Sequence, residues 1–260
     1  MNQKALIENN HEYWLQRAKT YSDVNKEELL GVQRVNWSRF LDREIREHFK
    51  INDSERKHIK ILDIGAGPGF ISIILSKLGY TVIAADFAEN MLREAESNAC
   101  EEGEKIIFKH ENAMDLTFKD EMFDVVFSRN LTWNLPDPKK AYSEWLRVLK
   151  PDGCMMVFDA NWYSYLQDES LKEAFIRDRL ASEELGQGDF NVGKNFDVME
   201  EIAKKLPLTG EKRPYWDEDL LTGFNVNEVS VMNDVGDVLY SEKEKVNYRS
   251  TPMFMIKVRK

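Results

Sequence analysis

Apolar residues in the first fifty positions recur at helical spacing. Tyr13, Trp14, Ala18 and Tyr21 form one set, with Asn9 or Asn10 as its cap. A second set, from about Lys26, carries Leu29, Leu30, Val32, Val35, Trp37, Phe40, Leu41, Ile45 and Phe49 between charged residues. Both are expected to be amphipathic helices packed on a core. From Ile59 the rhythm shortens. Residues 59–64, 81–85, 106–109, 123–128 and 154–159 read as strands, with helices predicted over 70–78, 88–100 and 139–149. This alternation implies right-handed crossovers and a mostly parallel sheet with helices on both faces. The run Asp124-Val125-Val126-Phe127 suits a strand buried on both sides. Past Asp159 the pattern breaks into a helical insertion from Tyr163 to about Leu206, with a loop at Gly186-Gln187-Gly188. Strand character returns at 224–231 and 253–258.

Composition narrows the picture. The 260 residues are 42% hydrophobic and 32% charged, enough apolar material for one domain with additions. A net charge of −10 disfavours a phosphate backbone as partner, so no nucleic acid is expected. Residues 164–219 hold fourteen acidic residues against eight basic, which places a local surplus of −6 in the insertion. Cys100 and Cys154 suffice for neither a disulfide framework nor a thiolate cage, so reduced thiols and no metal site are expected. Residues 1–10 lack the basic and apolar regions of a signal peptide, and no apolar run approaches the roughly 18 residues that span a bilayer. A cytoplasmic protein without membrane contact is the expectation, as monomer or homodimer.

The stretch that carries chemistry is Lys60-Ile61-Leu62-Asp63-Ile64-Gly65-Ala66-Gly67-Pro68-Gly69-Phe70. An apolar strand runs into a loop with glycine at every second position, and a helix follows. Glycines allow close backbone approach to a ligand, and the helix start offers free N–H groups. A dinucleotide site would place its third glycine where Phe70 stands, and no Gly-Lys-Ser/Thr follows for a phosphate loop. The second strand ends in Asp86, 21 residues after Gly65, where a carboxylate offers two acceptor oxygens to a pair of neighbouring hydroxyls.

Asp63-x-Gly65-x-Gly67-x-Gly69 resembles the first motif of class I S-adenosylmethionine-dependent methyltransferases, and three further segments match in order. Asp86-Phe87-Ala88-Glu89-Asn90-Met91 corresponds to the ribose-binding segment. Glu111-Asn112-Ala113-Met114-Asp115-Leu116-Thr117-Phe118 is similar to the family's adenine-side Gly-Asp-Ala-x-x-Leu-Pro-Phe, with Asn112 in place of Asp. Residues 123–138, ending Leu135-Pro136-Asp137-Pro138, and Arg147-Val148-Leu149-Lys150-Pro151-Asp152-Gly153 resemble the branch that includes the ubiquinone and menaquinone biosynthesis enzymes. Asn134 stands where many relatives carry His. The N-terminal Tyr13-Trp14-x-x-Arg17-Ala18-x-x-Tyr21 is similar to the helix that precedes the core in small-molecule members.

The resemblance implies a three-layer Rossmann-like α/β fold, its seven-stranded mostly parallel sheet having an antiparallel last strand, with a helical insertion between strands five and six. It divides the chain into an N-terminal helical lid (1–50), a cofactor-binding core (59–160), a cap (161–219) and the final strands (220–260). It implies S-adenosylmethionine as cofactor, S-adenosylhomocysteine as product and a small-molecule acceptor. Cofactor contacts are expected from Arg17, Tyr21, Asp63, Gly65, Ala66, Gly67, Gly69, Asp86, Phe87, Met91, Asn112, Ala113, Met114 and Arg129. Acceptor-side candidates are Asn130, Trp133, Asn134, Tyr163 and His11, joined by Asp159, Asn161 and Trp162, with Phe190, Phe196, Met199 and Tyr215-Trp216 as cap residues and His110 as a second imidazole. A non-catalytic cofactor-binding protein and, less favoured, a nicotinamide-dependent oxidoreductase are the alternatives. Two thiols fall short of the cluster that a metalloid acceptor requires.

Overall fold

The computed structural model describes residues 3–184 and 196–260. Two helices lead, α1 (Gln3–Leu30) and α2 (Val32–Phe49). The alternating core follows as β1 (Lys60–Ile64), α3 (Phe70–Lys77), β2 (Thr81–Asp86), α4 (Glu89–Glu101), β3 (Ile107–His110), β4 (Phe123–Arg129), α5 (Pro138–Val148) and β5 (Leu149–Asp159). Then come α6 (Glu169–Glu184), α7 (Phe196–Ala203), α8 (Tyr215–Thr222), β6 (Glu228–Met232), α9 (Gly236–Leu239), α10 (Glu242–Asn247) and β7 (Phe254–Arg259). The seven strands lie in the order β3-β2-β1-β4-β5-β7-β6, with β7 antiparallel to both its neighbours and the other pairings parallel. The expected sheet and the insertion between the fifth and sixth strands are both present. No helix among the described residues is long and apolar enough to cross a membrane.

Period-two alternation sends side chains of one strand to opposite faces. Val125 and Phe127 of β4, with Cys154, Met156 and Phe158 of β5, join Trp37, Phe40, Leu41 and Ile45 of α2 and Phe70, Ile73 and Ile74 of α3 on one face. Val126, Met155 and Val157 meet Tyr142, Trp145 and Leu146 of α5 and Leu221 of α8 on the other. Strand order reverses between β1 and β4, and there the connecting loops diverge to open a crevice beyond the carboxyl ends of the strands.

Several boundaries differ from the sequence expectation. The first helix is capped at neither Asn9 nor Asn10 and does not give way to a second at Lys26; it runs unbroken to Leu30, and the chain turns at Gly31. Its later turns bury Ser22, Asn25 and Glu28, so its inner face is polar and hydrophobic periodicity fails to register it. Asn10 is an interior residue whose Nδ2 donates to the Asn134 carbonyl at 2.8 Å. The sixth strand starts at Glu228, not Phe224, after a turn closed by Phe224 N–H to Leu221 O. The loop expected at 186–188 lies outside the described residues.

One buried polar cluster ties the insertion to the sheet. The Arg213 guanidinium donates from Nη1 to Asp159 at the end of β5 (2.8 Å), from Nε and Nη2 to Asp217 of α8 (2.8 Å each), and from Nη2 to Thr132 (2.6 Å). Tyr142 of α5 donates to Asp217 as well, at 2.7 Å, and the Phe254 ring lies 4.9 Å from the guanidinium carbon. Asp159 and Asp217 are inaccessible to solvent, so their oxygens depend on these donors for hydrogen bonds. Removing one partner of such a buried group strands the others. Arg213→Met is expected to destabilise the protein by about 3–5 kcal/mol, measured by urea unfolding; a loss under about 1 kcal/mol would show that the cluster does not hold the insertion.

Candidate functional site

The glycine loop between β1 and α3 is shaped by its backbone. Gly65, Gly67 and Gly69 take φ of 70°, 53° and 92°, a region that side chains disfavour. Gly65 and Ala66 both donate N–H to the Ala85 carbonyl, at 2.8 and 3.0 Å. Gly67 donates to Asp86 Oδ2 at 2.9 Å, and Asp86 Oδ1 accepts from Ala88 at 2.8 Å. A Cβ on Gly65 would strike Leu131 at 2.7 Å, and one on Gly67 would stand 3.6 Å from the Tyr21 ring. The loop is thus clamped to the tip of β2 and faces an open space.

That space is a cleft of about 1080 Å3, counting its open mouth. Its floor comes from Asp63, Gly65, Ala66 and Gly67; Asp86, Phe87 and Met91 form one end, with Asn112, Ala113 and Met114 beside them. Arg129, Asn130, Asn134 and Leu135 close the β4 side. The roof is α1, through Ile7, Asn10, His11, Trp14, Tyr21 and Asn25. Burial pushes the Asp63 carboxyl up to about 7, even though the Ser72 hydroxyl donates to it at 2.5 Å. Burial raises Asp86 too, against the pull of its backbone N–H donors. Asn112 Oδ1 accepts from Met114 N at 3.0 Å, and the Trp145 indole N–H donates to the Ala113 carbonyl at 3.0 Å, which fixes this turn from below.

A second chamber of about 760 Å3 adjoins the cleft, and Trp14, Tyr21 and Asn130 line both. Tyr13, Trp133, Trp162, Tyr163, Tyr165, Phe175 and Tyr248 wall it with rings, together with Met199, Arg17 and Arg179. Trp133 and Tyr163 lie 5.0 Å apart between centroids, and Tyr165 stacks on Phe175 at 4.2 Å. Burial raises the Tyr163, Tyr165 and Tyr248 phenols above the usual tyrosine range, so they stay protonated at neutral pH.

The expected residues therefore separate into two groups. Tyr21, Asp63, Gly65, Ala66, Gly67, Asp86, Phe87, Met91, Asn112, Ala113, Met114 and Arg129 line the cleft, as do the acceptor-side candidates His11, Asn130 and Asn134. Arg17, expected at the cofactor, lines the second chamber with Trp133, Tyr163 and Trp162. Gly69 lines neither space; it caps α3, and a Cβ there would meet that of Ala95 at 3.2 Å. His110 is exposed and stacks on Phe87 from outside, while His11 meets the same ring at 4.6 Å. Asp159 is committed to Arg213, which removes it from the acceptor side; Tyr215 is 65% exposed and Trp216 packs on the α5 face of the sheet, which removes both from the cap lining. Phe190 and the side chain of Phe196 lie outside the described residues. Sequence reasoning missed Asn25 and Glu111 as wall residues and took Asn10 for a cap. Trp14, Tyr21, Asn25 and Glu28 follow one another at helical spacing, a signal hidden by its change from aromatic to polar.

Residues 62–157 match the family model described as a methyltransferase domain. A demethylmenaquinone methyltransferase from Clavibacter sepedonicus is 39% identical over 98 residues, which cover 38% of this chain and 40% of the relative. A ubiquinone biosynthesis O-methyltransferase from Bartonella bacilliformis is 34% identical over 109 residues, 41% of this chain and 44% of the relative. The chain thus spans less than half the length of these curated relatives. Among solved structures, the plantazolicin methyltransferase BpumL, in complex with S-adenosylhomocysteine, superposes with a TM-score of 0.60 at 14% identity over 99% of this chain and 98% of that one. That likeness is one of fold and extends beyond the matched segment into the helical additions. Residues 62–157 thus match a methyltransferase domain, and the chain as a whole has a seven-stranded α/β fold like that of the solved methyltransferase.

Proposed function

We propose that the protein transfers a methyl group from S-adenosylmethionine to a small molecule held in the second chamber. The observation that carries this reading is the cleft itself. A glycine loop and a strand-tip carboxylate face a roof in which Asn10 Oδ1, His11 Nε2 and Trp14 Nε1 are buried without a protein partner among the described residues. Asn130 Oδ1 and Asn134 Oδ1 add two more on the β4 side. Buried polar atoms in a native protein are ordinarily satisfied, so a ligand with many donors and acceptors fits this lining better than an apolar one.

In this reading Asp86 takes the ribose hydroxyls on the lone pairs its backbone donors leave over. Ala113, Met114, Phe87 and Met91 would hold the adenine, and the glycine loop would lie beside the sulfonium and its amino-acid chain. The Tyr21 ring covers the loop where cation–π attraction favours a positive group, by roughly 0.5–2 kcal/mol. When bound, the cofactor supplies an activated methyl on sulfonium sulfur. The protein's own task is to hold the acceptor in line with that methyl and to exclude water. Trp14, Tyr21 and Asn130, which line both spaces, form the boundary across which transfer would occur. The ring-walled chamber suits an acceptor with a flat apolar surface, and its protonated phenols can donate to polar substituents.

Calorimetric titration with S-adenosylmethionine, S-adenosylhomocysteine and a nicotinamide dinucleotide, followed by labelled-methyl transfer to a small-molecule panel, tests the reading. Tighter binding of the dinucleotide would overturn it. Binding without transfer to any acceptor would favour the non-catalytic alternative. Asp86→Ala is expected to weaken S-adenosylhomocysteine binding by about tenfold or more, since it removes both acceptor oxygens and frees the glycine loop. Phe175→Ala, at a ring that lines only the second chamber, is expected to raise KM for the acceptor about fivefold and leave the cofactor Kd unchanged. A changed Kd with an unchanged KM would reverse the assignment of the two spaces.

A further inference from the structure

The cleft has an uneven charge. Asp63, Asp86 and Glu111 are among its lining, and Arg129 is the only arginine or lysine there among the described residues. Arg129 ends β4, and its guanidinium is held by two rings and one carboxylate. Its carbon lies 4.9 Å from the Trp37 ring and 5.2 Å from the Phe70 ring. Nη2 donates to Glu28 Oε1 at 2.5 Å and Nη1 to Glu28 Oε2 at 3.3 Å, while Nε has no protein partner among the described residues. Glu28 is itself fixed, because Asn25 Nδ2 donates to its Oε2 at 3.0 Å and Asn25 Oδ1 accepts from the Phe70 backbone N–H at 3.4 Å. One helical face of α1 thus reaches from the roof of the cleft to the first residue of α3, and to the cation beside it.

S-adenosylmethionine ends in an amino acid, and its carboxylate needs a cation that a cleft lined by three carboxylates offers at one place. We propose that Glu28 is a positioning residue for that end of the cofactor: by binding the two terminal nitrogens of Arg129 it fixes the guanidinium at the cleft wall and leaves its Nε–H to the ligand carboxylate. The proposal rests on the reading of the cleft as an S-adenosylmethionine site. A planar guanidinium binds in a fixed geometry only when its plane is set, and a two-point contact to a carboxylate sets it. Without Glu28, the neighbouring carboxylate is Glu244 on α10, already bonded to Ser241 and to Gln33 Nε2. Arg129 would then lack the two-point contact that sets its plane. The chemistry of the contact predicts a discrimination: ligands with the amino-acid tail depend on Glu28, and ligands without it do not.

The test uses the full chain with S-adenosylhomocysteine and 5′-methylthioadenosine, a nucleoside thioether that lacks the amino-acid tail, each titrated calorimetrically. Wild-type protein is expected to favour S-adenosylhomocysteine. Glu28→Gln is expected to weaken that ligand by about tenfold and methylthioadenosine by less than about twofold, with Glu28→Asp recovering part of the loss. Equal losses for both ligands would mean that Glu28 only props α1, and would overturn the proposal, as would no loss for either. Should Glu28→Gln fail to fold because Arg129 is left buried and unpaired, Glu28→Gln/Arg129→Gln removes both charges. That double variant should bind methylthioadenosine as the wild type does and show no preference for S-adenosylhomocysteine; a retained preference would overturn the proposal. Wild-type protein that bound neither ligand would overturn the cofactor reading first, and this one with it.

Discussion

The hydrogen bond from the Gly67 N–H to the Asp86 carboxylate joins two strand tips that the chain separates by a whole helix. Together with the paired donation of Gly65 and Ala66 to the Ala85 carbonyl, it folds the β1–α3 loop back over β2. That path needs positive φ at alternate residues, which the glycines supply. Once the loop is set, α3 starts beside the crevice, at the switch in strand order, with its Phe70 N–H taken by Asn25. The same carboxylate that shapes the loop also lines the cleft, so scaffold and candidate site share one residue.

Over this floor lies α1, and its inner face changes character along its length. Near Trp14 and Tyr21 it offers rings to both the cleft and the adjoining chamber; toward its end it offers Ser22, Asn25 and Glu28. Ser22 and Asn98 bond to each other, and Asn98 Nδ2 donates to the Pro68 carbonyl at 2.9 Å, which joins roof and loop, while the pair between Glu28 and Arg129 joins the roof to the end of β4. The roof is held by directional polar contacts, each of which depends on its partner being in place.

The acidic surplus of the insertion is sorted by burial. Glu169, Glu173, Glu183, Glu184, Glu201 and Glu211 are exposed to solvent. Asp217 is buried on Arg213, and Asp178 accepts from the Ser250 N–H at 2.6 Å. The chamber under the insertion is walled instead by rings and carries the arginines Arg17 and Arg179. A surplus of negative charge in the sequence therefore describes the outside of the cap and says little about its lining.

The sequence by itself determined the sheet, the glycine loop and the strand-tip acid, because each has a local cause. Strands buried on both faces must be continuously apolar, left-handed backbone requires glycine, and a tight strand-to-helix turn fixes its spacing within a few residues. Tertiary structure alone decided where the polar positions of the helices point. Arg17 went to the second chamber and Arg129 to the first; Asn10 became an interior bond and Tyr215 a surface residue. Helical periodicity tells which residues share a face, and only packing tells what that face meets. For α1 it meets the start of α3 and a buried arginine: Asn25 takes the Phe70 N–H, 45 residues away along the chain, and Glu28 takes Arg129, 101 residues away.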